Sequence, residues 1–177
     1  MTAATAIESD FQLQFAPVEI QVLARRYMDA GSVEDEKALA AGTRIRGGDF
    51  SRDNLQVIFR WKTKGRGVSR LARNTDDEIA DALKLALIAK TERSAIAVLK
   101  GLNGVDVPVA SAILTAINPT KYTVIDFRAL EALGSTSKDR SVNFYLAYLD
   151  SCHRLATKHR VKLRDLDRAL WQWSSDR

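Results

Sequence analysis

The sequence is poor in the residues that carry metal and redox chemistry: it has one cysteine, Cys152, and two histidines, His153 and His159. A lone cysteine closes no internal disulfide. So few soft ligands leave an iron–sulfur cluster or a structural zinc without donors, and neither a metal nor a cofactor is expected. Long hydrophobic runs are missing too. No apolar stretch approaches the ~20 residues that a membrane-spanning helix needs, so no membrane partner is expected. The opening "MTAATAIESD" has neither the basic start nor the apolar stretch of a signal peptide, and the chain reads as cytoplasmic.

What is present is the composition of a globular domain. Over 177 residues, 46% are hydrophobic and 28% charged, enough to bury a core without a metal or a disulfide. The formal charge is +5 and the pI about 9.5, a balance that favours a polyanionic partner. The distribution of charge is sharper than its total. The segment "RWKTKGRGVSRLAR" carries Arg60, Lys62, Lys64, Arg66, Arg70 and Arg73 with no acid between them. It reads either as a solvated connecting loop or as a polyanion-binding loop with Trp61 set among its cations.

Apolar residues recur at helical spacing along most of the chain. Ile20, Leu23, Ala24 and Tyr27 follow Pro17 and stop at Gly31, one amphipathic helix. "LAAGTRIRGGDFSRD" is rich in glycine and charge and reads as a loop, whose Ser51 can cap a helix through Leu55, Ile58 and Phe59, preferred over the strand that the alternation of Leu55, Val57, Phe59 and Trp61 also permits. Thr75 and Glu78 have the spacing of a capping box. The helix they open is apolar on two faces, through Ile79, Leu83, Leu85 and Ile88, and is expected to be central. Further helices start at Thr91, after Asp106, at Phe127 and at Val142, and the last carries Leu163, Leu166, Leu170 and Trp173. The expected fold is all-α, a helical bundle. Residues 1–74 are read as N-terminal helices with the basic loop, and 75–177 as a helical core with C-terminal helices, the two forming one compact unit.

The stretch "LKGLNGVDVPVASAILTAI" reverses direction at Asn103 and Gly104. Asn-Gly supplies the positive φ that a tight turn requires, and glycine lets another backbone come close. The amides of Gly104, Val105, Asp106 and Val107 then open a helix, where unpaired N–H groups and the helix dipole favour an anion. Asp106 also reads as an ordinary N-cap that needs no ligand.

"LNGVDVPVASAIL" followed by "KYTVIDFRALEALG" resembles the helix-hairpin-helix DNA glycosylase superfamily, which includes endonuclease III and the alkyl-adenine glycosylases. Leu102, Asn103, Gly104, Val105 and Asp106 stand at the hairpin positions, and Val124, Ile125 and Asp126 at those of the catalytic aspartate segment. The resemblance implies a bundle of the helix-hairpin-helix DNA glycosylase type and DNA as the partner. It implies phosphate contacts at Asn103, Gly104, Val105, Asp106 and Val107, and Asp126 as the catalytic carboxylate. Pro108 stands where bifunctional members carry the lysine that attacks the sugar, so the implied enzyme is monofunctional and lacks a lyase step. Asp106 replaces the second hairpin glycine, Phe127 and Arg128 replace the usual Thr-His, and no four-cysteine cluster follows.

Such an enzyme flips a base into a pocket lined by aromatic groups. The candidate liners are Trp61, Tyr122, Phe127 and Trp171, and the candidate phosphate contacts include Arg60, Lys62, Lys64 and Arg66. Each aromatic has an alternative place in the core, and Asp126 has an alternative role as the N-cap of the helix at Phe127. His153 and Cys152 read as core residues. The competing function is a non-catalytic helix-hairpin-helix DNA-binding module.

Overall fold

The computed structural model describes residues 11–177; the opening segment 1–10, read above for a targeting signal, lies outside the described residues. Among the described residues the chain is helical and contains no strand. A 3-10 turn, Pro17–Glu19, leads into α1 (Ile20–Asp29), followed by α2 (Ser32–Arg46), α3 (Arg52–Thr63), α4 (Val68–Leu71) and α5 (Asp76–Ile88). Then come α6 (Glu92–Lys100), α7 (Val107–Ile117), α8 (Phe127–Ala132), α9 (Val142–His159) and α10 (Leu163–Ser175). None of the described helices is long and apolar enough to cross a membrane.

The chain divides into two units. One, here the hairpin unit, spans Val33–Pro119; the other, the aspartate unit, comprises described residues 11–32 and 120–177. The sequence division at 74 falls inside the hairpin unit.

In the hairpin unit the central helix is α7, every residue of which is buried except Pro108. An apolar helix with no polar face belongs in a core. Its two hydroxyls are satisfied within the helix: Ser111 Oγ donates to the Pro108 carbonyl and Thr115 Oγ1 to that of Ser111, each at 2.7 Å. Helices α3 and α6 pack on α7. The sequence expectation that α5 is central is corrected here, since Leu85 and Ile88 are 50% and 66% exposed. Its capping box does form: Glu78 N–H donates to Thr75 Oγ1 at 3.1 Å and Thr75 N–H to Glu78 Oε2 at 2.7 Å.

A second correction concerns α2, which runs through most of the glycine-rich stretch read as a loop. Gly42 is buried within this helix. A Cβ built on it would lie 1.9 Å from the Ala116 carbonyl oxygen, so α2 crosses α7 at backbone contact. Arg46 strengthens the crossing by donating to the Ile117 carbonyl at 2.7 Å, satisfying an open acceptor at the end of α7.

In the aspartate unit α10 packs against α1, α8 and α9. It buries Leu163, Leu166, Ala169 and Leu170 along one face, the arrangement its helical spacing predicts.

Candidate functional site

The hairpin unit brings the basic segment and the Asn-Gly turn together, although about thirty residues separate them in sequence. The segment is largely helix rather than loop. Arg60, Trp61 and Lys62 lie on the last turn of α3, Lys64 is its left-handed C-cap at φ 55°, and Arg66 follows in the turn before α4. Cations at a helix C-terminus complement its dipole, which explains why they gather there without acids. Arg60 and Lys64 line a cavity of about 400 Å³ with Glu34, Gly65 and Val68. Trp61 is half-buried.

The hairpin turn closes through Val105 N–H donating to the Leu102 carbonyl at 3.2 Å. Gly104 has φ +83°, the value a type II turn requires at its third residue. The close approach that glycine allows is also made. A Cβ on Gly104 would meet Leu71 N at 3.0 Å and Arg70 Cβ at 3.3 Å, placing α4 and its Arg70 directly against the hairpin.

Asn74 fixes this contact. Its Oδ1 accepts from Asn103 N–H at 2.8 Å and from Asn103 Nδ2 at 3.2 Å, while its Nδ2 donates to the carbonyls of Asn103 at 3.0 Å and Leu71 at 2.9 Å. With two donated and two accepted bonds, the amide uses its full complement, and Asn74 is only 4% exposed. Sequence reading missed it, because a lone asparagine ahead of a capping threonine carries no periodic or motif signal.

The hairpin amides divide accordingly. Those of Asn103 and Val105 are engaged within the protein, which corrects the assignment of Val105 N–H to a phosphate. Among the described residues, those of Gly104, Asp106 and Val107 have no hydrogen-bond partner. Asp106 is exposed, and its Oδ1 accepts from Val109 N–H at 3.0 Å. The carboxylate is therefore turned onto the helix as an N-cap. Pro108 contributes no N–H.

The aspartate unit presents Asp126 at the end of an extended buried segment. Thr123, Val124 and Ile125 are buried and Asp126 is half-buried. Two tyrosines of α9, one helical turn apart, hold this segment by its carbonyls. Tyr145 donates to Thr123 at 2.9 Å and Tyr148 to Val124 at 2.7 Å. Val124 N–H donates to Asp167 Oδ2 at 3.4 Å, and Asp167 pairs with Arg164 at 2.5 Å in a buried ion pair. Upstream, the Nε2 of His153 lies 2.7 Å from the Lys121 carbonyl, so the histidine is satisfied as expected but half-buried rather than in the core.

Burial sets the protonation of this frame. It pushes both tyrosine hydroxyls well above their ordinary range, with the neighbouring Cys152 adding to the shift. It also pushes up the Cys152 thiol, an inert core group. Burial raises Asp167 as well, against the attraction of Arg164, and the charge of Asp126 adds to the rise. Asp126 itself accepts Ala129 N–H on Oδ1 at 2.9 Å, so it does act as the N-cap of α8.

Of the predicted base-pocket residues, Trp61 belongs to the hairpin unit and the other three to the aspartate unit. Tyr122 is buried at 5% exposure, with Lys121 Nζ over its ring at 5.4 Å. Phe127 is 65% exposed. The guanidinium of Arg128 lies over Phe127 and over the half-buried Trp171, 5.1 Å from each ring centroid. Tyr27 meets Trp171 edge-on at 5.4 Å.

No family model, no curated protein sequence and no solved structure matches the chain.

Proposed function

We propose that this protein binds DNA and hydrolyses the N-glycosidic bond of a modified or damaged base, with Asp126 as the catalytic carboxylate and without strand cleavage. The observation that carries the DNA-binding part is the Asn74 clamp. It holds the backbone and Cβ of Arg70, whose guanidinium lies beside Gly67, against a hairpin whose Gly104, Asp106 and Val107 amides lack partners among the described residues. Backbone N–H groups and neighbouring cations are what a phosphate oxygen recruits.

The chemistry follows from Asp126. As the base departs, positive charge builds on the sugar, and a preorganised carboxylate beside it stabilises that charge. The same group orients or deprotonates the attacking water. Preorganisation is supported by the frame of Tyr145, Tyr148 and Asp167, which leaves the segment before Asp126 little freedom. With Pro108 in place of an amine, no Schiff base forms at that position. The all-α fold agrees with the helix-hairpin-helix resemblance, which also supplies Asp126 with its role.

The test is a panel of duplex and single-stranded oligonucleotides carrying uracil, alkylated, oxidised and hypermodified bases, treated with alkali to reveal abasic sites. Cleavage only after alkali, lost in Asp126→Asn, supports the reading. Cleavage before alkali overturns the monofunctional assignment. DNA binding without base release, unchanged in Asp126→Asn, supports the non-catalytic module, a reading favoured by the commitment of Asp126 Oδ1 to the α8 cap.

A further inference from the structure

The two residues that follow Asp126 carry more than the cap of α8. Phe127 presents an aromatic ring to solvent, and Arg128 lies over that ring and over Trp171. A vacant electron-rich ring face attracts a cation. Here the guanidinium already engages both rings, and the edge of Tyr27 meets Trp171 as well.

Among the described residues the charge on Arg128 stands uncompensated. Arg164, which lies over Tyr27 at 5.9 Å, is neutralised by its buried pair with Asp167. Among the described residues no carboxylate pairs with Arg128. Its guanidinium offers a planar fork of N–H donors.

We infer that Arg128 makes the aspartate unit selective for a neutral, carbonyl-bearing base over an N-alkylated, cationic one, an inference that rests on the glycosylase reading of Asp126. A base stacked on Phe127 lies within a few ångströms of the guanidinium. At that range a second full positive charge is repelled strongly in a partly desolvated site. A neutral base keeps the stacking, and its carbonyl oxygens and ring nitrogens accept from the arginine fork. The charge on the base thus decides whether Arg128 attracts or expels it.

The experiment measures single-turnover release from duplexes holding uracil, hypoxanthine, 8-oxoguanine, or thymine opposite guanine, against duplexes holding 7-methylguanine or 3-methyladenine. At least one neutral base is expected to leave about tenfold or more faster than either cationic one, and Arg128→Ala to narrow that ratio by about tenfold. Arg128→Lys, which keeps the charge and loses the fork, is expected to preserve the exclusion of cationic bases while slowing release of the neutral one. Faster release of a cationic base by the natural protein, or an unchanged ratio in Arg128→Ala, overturns the inference. If the natural protein releases no base, the glycosylase reading fails on its own and the charge preference is read from Trp171 fluorescence, isolated by difference against Trp171→Phe. Quenching by inosine at about tenfold lower concentration than by 1-methyladenosine supports the preference. Equal or reversed quenching overturns it.

Discussion

Asn74 and Asn103 are joined by three hydrogen bonds, with the side chain of Asn74 pairing with both the N–H and the C=O of Asn103 as a neighbouring strand would. One buried amide therefore sets the position of a surface hairpin. Asn74→Ala leaves the N–H and the C=O of Asn103 without their partner, a loss expected to cost about 2 kcal/mol in urea unfolding, whereas the Leu71 carbonyl keeps the backbone N–H of residue 74. If the hairpin holds a DNA phosphate, the slope of log Kd against log salt should also fall by about one in the variant. Loss of stability alone changes the folded fraction and leaves that slope in place, so a titration at several salt concentrations separates the two effects.

Gly42 gives a second test with an unusual sign. In a helix interior, glycine to alanine normally stabilises by about 1 kcal/mol. Here the added methyl would stand 1.9 Å from the Ala116 carbonyl oxygen, contact with backbone rather than with a side chain that can swing aside. Gly42→Ala is expected to destabilise by about 3 kcal/mol, because α2 and α7 must separate to admit it. Thermal or urea unfolding measures this directly.

Elements with strong periodicity and local caps were legible in the sequence, and those set by long-range contact were not. The Thr75–Glu78 capping box and the long helix from Val142 follow from local chemistry, and both form. Helix α2 escaped because glycine and charge signal a loop, whereas Gly42 serves a helix crossing at Ala116 that no local pattern announces. Leu85 and Ile88 misled in the other direction, since an apolar residue at helical spacing does not reveal whether a neighbour covers it. At the candidate site, Asp126 and the Asn103-Gly104 turn were visible as motifs. Asn74, Tyr145, Tyr148 and Asp167, which hold them, were not, because a satisfied polar partner looks like any other residue until the fold pairs it.

The buried tyrosines define the alkaline limit of stability. Both hydroxyls titrate well above the ordinary value of 10 because burial opposes the phenolate. The unfolded chain then releases protons near pH 10 while the folded chain keeps them, so the native state binds more protons and stability falls as pH rises above that point. Tyr148→Phe is expected to cost about 1–2 kcal/mol at neutral pH through the orphaned Val124 carbonyl. It should also flatten the alkaline decline. Urea midpoints from neutral pH to beyond 10 check both parts, and a decline as steep in the double variant with Tyr145→Phe would assign it to other groups.

Asp126 caps α8 and is the proposed catalytic group, and two substitutions separate those roles. Asparagine keeps an oxygen able to accept the Ala129 N–H, and Asn and Asp are near equals as N-caps. Asp126→Asn is therefore expected to change stability by less than about 0.5 kcal/mol, whereas Asp126→Ala should cost about 1 kcal/mol. For base release the order differs. Loss of the negative charge beside the developing sugar cation should slow the reaction by about a hundredfold or more in either variant, since the amide oxygen carries only a dipole. Parallel unfolding curves and single-turnover rates for the two variants decide the matter. A rate that follows stability, with Asp126→Asn near the natural protein, assigns Asp126 to the cap alone; equal loss in both, despite their different stabilities, assigns it to the chemistry.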